Sequence, residues 1–224
     1  MLLTDSHNRS HNYLRISLTE RCNLRCTYCM PEAGVPLSPK SHLMTADELF
    51  SIASIFVANG VNKIRLTGGE PLIRKDFREI ITQLASLPVE IGITTNGIIV
   101  DQFIDCFKQN NVKLINISLD TLNTSKFKEI TRRDYFDKVY QNLLLLVAEG
   151  FIVKLNAVLI KGFNDKEIND FIRLTKEMPI VVRFIEFMPF DGNKWDMSKM
   201  LSYAELMDIV KQDFNEDEIM RIED

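Results

Sequence analysis

Short β-rich runs alternate along the chain with longer segments in which apolar residues recur at helical spacing. The β-rich runs span Tyr13–Thr19, Lys63–Thr67, Val89–Thr95, Val112–Leu119, Ile152–Leu159 and Ile180–Met188. Segments with helical spacing lie at 45–60, 76–87, 101–110, 135–150 and 165–178, and a last helix is predicted at Ser202–Gln212. This alternation predicts an α/β fold with six parallel strands, right-handed crossovers and outer helices.

The first predicted helix carries start and stop signals of its own. Thr45 precedes the apolar repeat and Glu48 follows three residues later, which is the pattern of a capping box. Gly60 stands where the repeat stops, as expected for a helix that ends in a left-handed residue.

Five of the six predicted strands carry a polar face as well as an apolar one, because residues i and i+2 of a strand share a face. The polar positions include Arg15, Ser17, Lys63, Arg65, Gly92, Thr94, Asn116, Ser118, Lys154 and Asn156. Parallel strands covered on both sides are normally apolar on both. The pattern therefore predicts a partial (β/α)6 barrel with a polar lumen, which differs from the packed interior of an eight-stranded barrel. An open sheet with one solvated face is the alternative, and the sixth strand is ambiguous because Arg183 and Glu186 have opposite parity.

Composition narrows the class of protein further. The 224 residues are 46% hydrophobic and 26% charged, which is ordinary for a globular chain. A net charge of −4 argues against a broad basic face for duplex nucleic acid. The longest apolar stretch, Leu143–Ala148, is too short to span a membrane. One domain is predicted at 1–212, followed by an acidic linker or tail at 213–224, with the cytoplasm as the expected location.

Three of the four cysteines fall within eight residues, at Cys22, Cys26 and Cys29, directly after the first strand. Thiolates suit zinc or iron–sulfur clusters, and three ligands leave one position open for a small molecule. The alternative is a structural zinc site whose fourth ligand is one of the histidines His7, His11 and His42. Cys106 stands alone in a helical stretch and is expected to be a small buried hydrophobe.

A second motif, Thr67-Gly68-Gly69-Glu70-Pro71, ends the second strand. Its glycines are expected to let a ligand approach the backbone closely, and Glu70 is a candidate acceptor for an ammonium group. A tight strand-to-helix turn explains the same residues. The G-x4-G-K-[ST] pattern is absent from the sequence, so a P-loop does not hold any nucleotide.

The C-x3-C-x2-C spacing resembles that of the radical S-adenosylmethionine (SAM) superfamily. The wider string LRISLTERCNLRCTYCMPEAG at 14–34 is similar to the GTP 3′,8-cyclase family of molybdenum cofactor biosynthesis. Similar segments follow at 63–72, 94–97, 115–120, 154–165 and 183–190, so the resemblance covers nearly the whole chain in order.

The resemblance implies a radical SAM barrel with a [4Fe–4S] cluster on Cys22, Cys26 and Cys29, whose free iron binds SAM. It implies SAM contacts from Tyr28, Gly69, Glu70, Ser118 and Met188, with Tyr28 and Met188 acting partly through backbone groups. It also implies that GTP is bound by Arg15, Lys63, Arg65, Thr94, Lys154 and Arg183.

The implied reaction is that of a radical SAM lyase. An external one-electron reductant cleaves SAM, the 5′-deoxyadenosyl radical takes a hydrogen from C3′ of GTP, and C3′ closes onto C8 of guanine. No nucleic acid or membrane partner is expected, and a homodimer is compatible with the sequence.

The family also carries a second cluster on three C-terminal cysteines, which the sequence up to Asp224 does not contain. The alternatives are therefore a short relative that acts on another substrate, an inactive fragment, and a zinc-binding scaffold.

Overall fold

The six predicted strands form one parallel sheet in the order β1-β2-β3-β4-β5-β6. A computed structural model of the chain describes residues 4–31, 33–189 and 195–220. The strands are β1 (Tyr13–Ser17), β2 (Lys63–Thr67), β3 (Glu90–Thr95), β4 (Leu114–Ser118), β5 (Ile152–Leu159) and β6 (Ile180–Glu186). The partial barrel of parallel strands predicted from the pattern is confirmed.

Helices connect the strands on the outer side of the sheet. They are α1 (Ala46–Ala58), α2 (Phe77–Leu84), α3 (Ile104–Gln109), α4 (Thr124–Thr131), α5 (Phe136–Ala148), α6 (Ile168–Glu177) and α7 (Tyr203–Val210). Helix α1 begins at the predicted capping box, in which Thr45 Oγ1 accepts from the Glu48 amide at 3.2 Å and the Glu48 carboxylate accepts from the Thr45 amide at 2.8 Å. Cys106 is buried in α3, as predicted.

The sheet is curved, so that side chains from non-adjacent strands meet on its inner face. Lys154 on β5 lies close enough to Lys63 and Arg65 on β2 for their charges to lower its pKa. A flat sheet would hold β2 and β5 about 14 Å apart, because neighbouring strands are spaced by about 4.8 Å. The register also resolves the ambiguous sixth strand, since Arg183 pairs with Asn156 and therefore shares the inner face with Lys154.

The apolar faces of the strands pack against the helices and form the main core. Strand residues such as Ile64, Leu66 and Ile93 are fully buried there, together with Phe77 from α2 and Phe107 from α3. Burial of each such side chain stabilises the fold by about 1.5–3 kcal/mol. The outer face of the sheet is thus a conventional core, and the polar residues are left for the inner face.

One helix was missed by the sequence prediction, and the predicted tail makes contacts of its own. Helix α4 was not predicted, although Asn123 caps it by accepting from the Lys126 amide at 3.0 Å. At the start of the predicted tail, Phe214 is buried and the Asp213 carboxylate accepts from Asn169 on α6 at 2.8 Å. Residues 221–224 of that tail, and Phe190 of the last segment that carries the resemblance, lie outside the described residues.

Within the described ranges, none of the helices is long and apolar enough to cross a membrane.

Candidate active site

The three clustered cysteines lie on the long loop between β1 and α1, at the carboxyl end of the sheet. The loop folds into a turn in which the Cys26 carbonyl accepts from the amides of Cys29 and Met30, at 3.0 and 2.9 Å. Farther back, the amide of Leu24 points at the Cys22 sulfur from 3.4 Å. Cys22 and Cys26 are half-buried and Cys29 is exposed, so the loop presents its thiols at the mouth of the barrel.

The turn after β2 fastens the start of this loop. The Gly69 amide donates to the Thr19 carbonyl at 2.6 Å, and the Glu70 amide donates to the Arg21 carbonyl at 2.8 Å. A Cβ atom at Gly69 would lie 2.3 Å from the Arg21 oxygen, and one at Gly68 would lie 2.4 Å from the Thr19 oxygen. The sequence predicts that these glycines admit a ligand, but the segment that approaches them this closely is the cysteine loop itself.

The end of α4 fastens the same loop from the other side. The amides of Arg25 and Thr27 donate to the carbonyls of Thr131 and Ile130, at 3.1 and 2.8 Å. The Arg132 guanidinium donates through Nη1 to the Arg25 carbonyl at 2.9 Å. The unpredicted helix therefore has a defined place in the site, because its last turn supports the loop that carries the thiols.

Tyr28 joins the cysteine loop to the end of β4. Its hydroxyl donates to Asp120 Oδ2 at 2.7 Å, and Asp120 Oδ1 accepts from the Val158 amide at 2.9 Å. Burial raises the pKa of Asp120 to about 6, although both hydrogen bonds act in the opposite direction. Ser118, two residues before Asp120, is half-buried at the end of β4, the strand end to which Tyr28 is bonded.

The donor set of the loop is three thiols on one segment, and it fits an iron–sulfur cluster because thiolates are the ligands that such clusters take. Burial raises the pKa of all three thiols. The charges of Glu70 and Cys29 raise the pKa of Cys22 further, and those of Asp120, Cys22 and Cys29 raise that of Cys26. Over the described ranges, no group of three His, Cys, Asp or Glu side chains is positioned to hold a metal ion. His11, one of the candidate zinc ligands, is exposed and faces Asp5 at 3.5 Å.

Glu70 occupies a different place from the one predicted for a ligand contact. Its carboxylate is fully buried and accepts from Thr95 Oγ1 at 2.9 Å, from the Leu72 amide at 3.1 Å and from the Asn96 amide at 2.7 Å. Burial raises its pKa to about 7. Both oxygens are bonded inside the protein, so that Glu70 links the ends of β2 and β3.

Cationic side chains from four strands converge on the inner face. They are Arg15 on β1, Lys63 and Arg65 on β2, Lys154 on β5 and Arg183 on β6, with Arg15 directly opposite Arg65 in the register. Burial, followed by the charges of its cationic neighbours, holds the pKa of Lys154 below its usual range. Mutual repulsion of this kind marks a place where a polyanion would be stabilised.

Arg65 is the most deeply placed member of this set, with 6% of its surface exposed. Over the described residues, Arg65 has no carboxylate within ion-pair distance, whereas Lys63 pairs with Glu90 at 2.5 Å. A buried guanidinium normally has a carboxylate partner, since an unpaired buried charge is costly. Arg65 therefore indicates that an anion from outside the chain belongs on this face.

Two predicted contacts remain, Thr94 for GTP and Met188 for SAM. Thr94 is half-buried on β3, opposite the buried Asn116 of β4, and faces the same lumen. Met188 lies two residues beyond the end of β6 and is half-exposed.

Two polar residues of the site were given no role from the sequence. Asn96, at the end of β3, donates to Asn23 of the cysteine loop at 2.6 Å and lies 3.9 Å from the Cys22 sulfur. Asn156 pairs in register with Ser118 on one side and Arg183 on the other, and its buried Oδ1 has no hydrogen-bond partner in the described part of the chain. The alternation that placed Lys154 on the polar face contained the signal for Asn156.

A curved parallel sheet with three thiols at its mouth is the architecture of radical SAM proteins. The family model of the Radical SAM superfamily matches residues 16–175, and the chain belongs to this superfamily. Its members use a [4Fe–4S] cluster and SAM.

The chain is also similar to individual curated proteins. It is 52% identical over 217 residues to Molybdenum cofactor biosynthesis protein 1 of Bos taurus. The matched region covers 96% of this chain and 34% of the bovine protein. It is 51% identical over 216 residues to the mitochondrial GTP 3′,8-cyclase of Arabidopsis thaliana. That matched region covers 95% of this chain and 55% of the plant protein. The chain thus spans about a third to about half the length of these relatives.

Solved structures agree on the fold. SuiB of Streptococcus suis, crystallised with S-adenosylmethionine, superposes with a TM-score of 0.68 at 21% identity, over 90% of this chain and 46% of SuiB.

Proposed function

We propose that this chain binds GTP beside SAM and converts it to (8S)-3′,8-cyclo-7,8-dihydroguanosine 5′-triphosphate, as a GTP 3′,8-cyclase of molybdenum cofactor biosynthesis. The observation that carries the proposal is the buried guanidinium of Arg65, which has no carboxylate partner among the described residues and lies in a group of cations. The similarity to the plant GTP 3′,8-cyclase supports the same substrate.

Cys22, Cys26 and Cys29 are the residues that would hold the cluster, because they share one loop at the mouth of the barrel. When bound, the cluster and SAM supply one-electron cleavage of SAM and removal of a hydrogen atom from the substrate. The protein's own contribution is to shape the loop, through the turn after β2 and the end of α4, and to shield the thiols partly from solvent.

Tyr28, Gly69, Ser118 and Met188 are the proposed SAM contacts. The hydrogen bond from Tyr28 to Asp120, two residues after Ser118, supports the assignment of Tyr28 and Ser118 to one site. Gly69 lies in the turn that is bonded to the cysteine loop. Glu70 keeps a supporting role, since its carboxylate is occupied within the protein.

Arg15, Lys63, Arg65, Thr94, Lys154 and Arg183 are the proposed GTP contacts. A triphosphate would neutralise the repulsion within this group, and guanidinium groups bind phosphate oxygens in pairs. Fixing the triphosphate on the inner face orients the ribose relative to the mouth of the barrel, where the radical chemistry begins.

The expected reductant, cellular location and partners of the chain are also part of the proposal. The chain needs an external one-electron reductant and reduced thiols, in keeping with the predicted cytoplasmic location. Nucleic acid and membrane partners are not proposed, and a homodimer stays a prediction.

Anaerobic reconstitution with iron and sulfide, followed by GTP binding, tests the proposal. We expect about four iron atoms per chain, loss of iron in Cys26→Ala, and retention of iron in the matched control Cys106→Ala. Equilibrium dialysis should then show that Arg65→Ala weakens GTP binding. Addition of SAM, dithionite and GTP should yield 5′-deoxyadenosine and the cyclised nucleotide.

Each alternative gives a different result in the same experiment. Zinc without sulfide would point to a scaffold. A normal cluster and SAM cleavage, with GTP binding that is absent or unaffected by Arg65→Ala, would point to a radical SAM enzyme with another substrate.

A further inference from the structure

The side chain of Arg65 is held in one orientation by neutral groups. Its Nε donates to the Tyr13 hydroxyl at 2.6 Å, and its Nη1 points at the Ile93 carbonyl at 3.4 Å. Neither acceptor carries a charge, so both fix the guanidinium without cancelling its positive charge. Nη2 has no hydrogen bond within the described residues.

Gly92 completes this arrangement from β3, where it pairs in register with Arg65. A Cβ atom at Gly92 would lie 3.0 Å from Arg65 Nη2 and 3.1 Å from Cζ, which is closer than ordinary contact allows. The φ angle of Gly92 is not positive, so its backbone conformation is open to any residue and does not itself require glycine. The guanidinium, which lies directly over the strand at this point, accounts for the missing side chain.

Resting on the proposed function, we propose that Tyr13 and Gly92 are positioning residues that orient the Arg65 guanidinium toward the nucleotide. Tyr13 fixes Nε, and Gly92 leaves the room in which the guanidinium lies flat. A long side chain that is already ordered loses less conformational freedom on binding, and a guanidinium binds phosphate through a fixed pair of N–H groups. Tyr13 and Gly92 act through Arg65 and are not assigned contact with the substrate.

Two variants perturb the arrangement in different ways. Tyr13→Phe removes only the hydroxyl, and Gly92→Ala adds one methyl group that displaces the guanidinium. We expect either change to weaken GTP binding by roughly two- to tenfold, as for the loss of one net hydrogen bond. Equilibrium dialysis of GTP measures this effect. Tyr203→Phe, at an exposed position of α7, is the matched control for Tyr13→Phe. Gly150→Ala is the comparison for Gly92→Ala, because its positive φ of 78° adds backbone strain but a Cβ there meets nothing within 4 Å.

A double-variant comparison separates positioning from general damage to the fold. Methionine has no hydrogen-bond donor to offer Tyr13, so Tyr13→Phe should have no further effect on GTP binding in an Arg65→Met background. SAM binding should be unchanged in Tyr13→Phe, because the SAM contacts lie at the other end of the strands.

The outcomes distinguish this inference from the proposed function. If Arg65→Ala weakens GTP binding while Tyr13→Phe and Gly92→Ala bind GTP as the unaltered chain does, the positioning role is wrong and the GTP proposal stands. Equal losses from Tyr13→Phe in the unaltered and the Arg65→Met backgrounds would also overturn the positioning role. If Arg65→Ala itself has no effect, both proposals fail.

Discussion

The amide of Gly69 donates a hydrogen bond to the carbonyl of Thr19 at 2.6 Å, which joins the turn after β2 to the start of the cysteine loop. This contact brings two backbones together at a distance that only glycine permits, since a Cβ at Gly69 would lie 2.3 Å from the Arg21 oxygen. The position of the thiols thus depends on the absence of a side chain in a neighbouring turn.

Gly69→Ala should destabilise the fold and displace the cysteine loop. We expect a loss of about 2 kcal/mol in the free energy of unfolding, as for overpacking of a close contact, together with reduced iron content after reconstitution. Gly162→Ala is the comparison, because its positive φ of 77° carries backbone strain but a Cβ there meets nothing within 4 Å. Equal iron retention in both variants would contradict the role given to Gly69.

Arg132→Ala should loosen the cysteine loop from the side of α4. The variant loses the charge-assisted hydrogen bonds from Nη1 to the carbonyls of Arg25 and Met30, at 2.9 and 3.2 Å. We expect roughly tenfold faster amide hydrogen exchange in the loop, as for a local loss of about 1.5 kcal/mol. Arg133→Ala is a matched control, since among the described residues that exposed side chain donates to the Arg132 carbonyl alone. Unchanged exchange in Arg132→Ala would show that α4 does not support the loop.

Glu70 should make the stability of the cluster-free chain depend on pH. Burial raises its pKa from 4.5 to about 7, so the folded chain holds the proton more tightly than the unfolded chain does. Stability therefore falls as the pH rises from about 4.5 to about 7, by about 3 kcal/mol in total. Urea unfolding at about pH 5 and about pH 7.5 measures the difference between these conditions.

Glu70→Gln removes this titration and should reduce the difference in unfolding free energy between the two pH values. Asp120, whose pKa is raised to about 6, titrates in both proteins and leaves a residual pH dependence. Glu129→Gln, at an exposed position on α4, is the control that should leave the dependence unchanged. If the Glu70→Gln and unaltered chains show the same pH dependence, the carboxyl is not titrating in this window.

Asn156 and Asn142 should respond differently to alanine. Asn142 is buried and donates to the carbonyls of Gly97 and Ile98 at 2.7 and 3.0 Å, so Asn142→Ala should cost about 1–3 kcal/mol of stability. The Asn156 Oδ1 is buried without a partner among the described residues, so Asn156→Ala should leave the ligand-free chain equally or more stable.

Asn156→Ala should instead reduce the stabilisation that ligands give to the chain. If Asn156 bonds to a molecule in the lumen, the rise in melting temperature on addition of SAM and GTP should be smaller in Asn156→Ala than in the unaltered chain. Destabilisation as large as that of Asn142→Ala, with an unchanged ligand-induced rise, would make Asn156 a purely structural residue.

The sheet and its inner face were predictable because a strand has only two faces. The alternation of Lys63 and Arg65 with Ile64 and Leu66 fixes which side chains point into the lumen, whatever the helices do. The mixed strand β6 was not predictable in this way, since only its register with β5 shows that Arg183 faces inward.

The supports of the cysteine loop were not predictable, because they depend on contacts between distant segments. The Gly-Gly pair signals a close approach but does not reveal whether a ligand or another backbone makes it. Helix α4 buries only Phe127, Ile130 and Thr131 in a polar stretch, so its apolar repeat is too short to stand out. The burial of Glu70 and its hydrogen bonds to Thr95 and Asn96 could not be predicted either, because they join the ends of two different strands.

The hydrogen bonds that fix the cysteine loop span long distances along the chain. Tyr28 meets Asp120 across 92 residues, and Arg25 meets Arg132 across 107. During synthesis the three cysteines therefore leave the ribosome well before the residues that shape their loop, and local contacts alone cannot set its form. Maturation should consequently follow an order in which the polypeptide reaches α4 and closes the barrel first, and the thiols receive their iron afterwards.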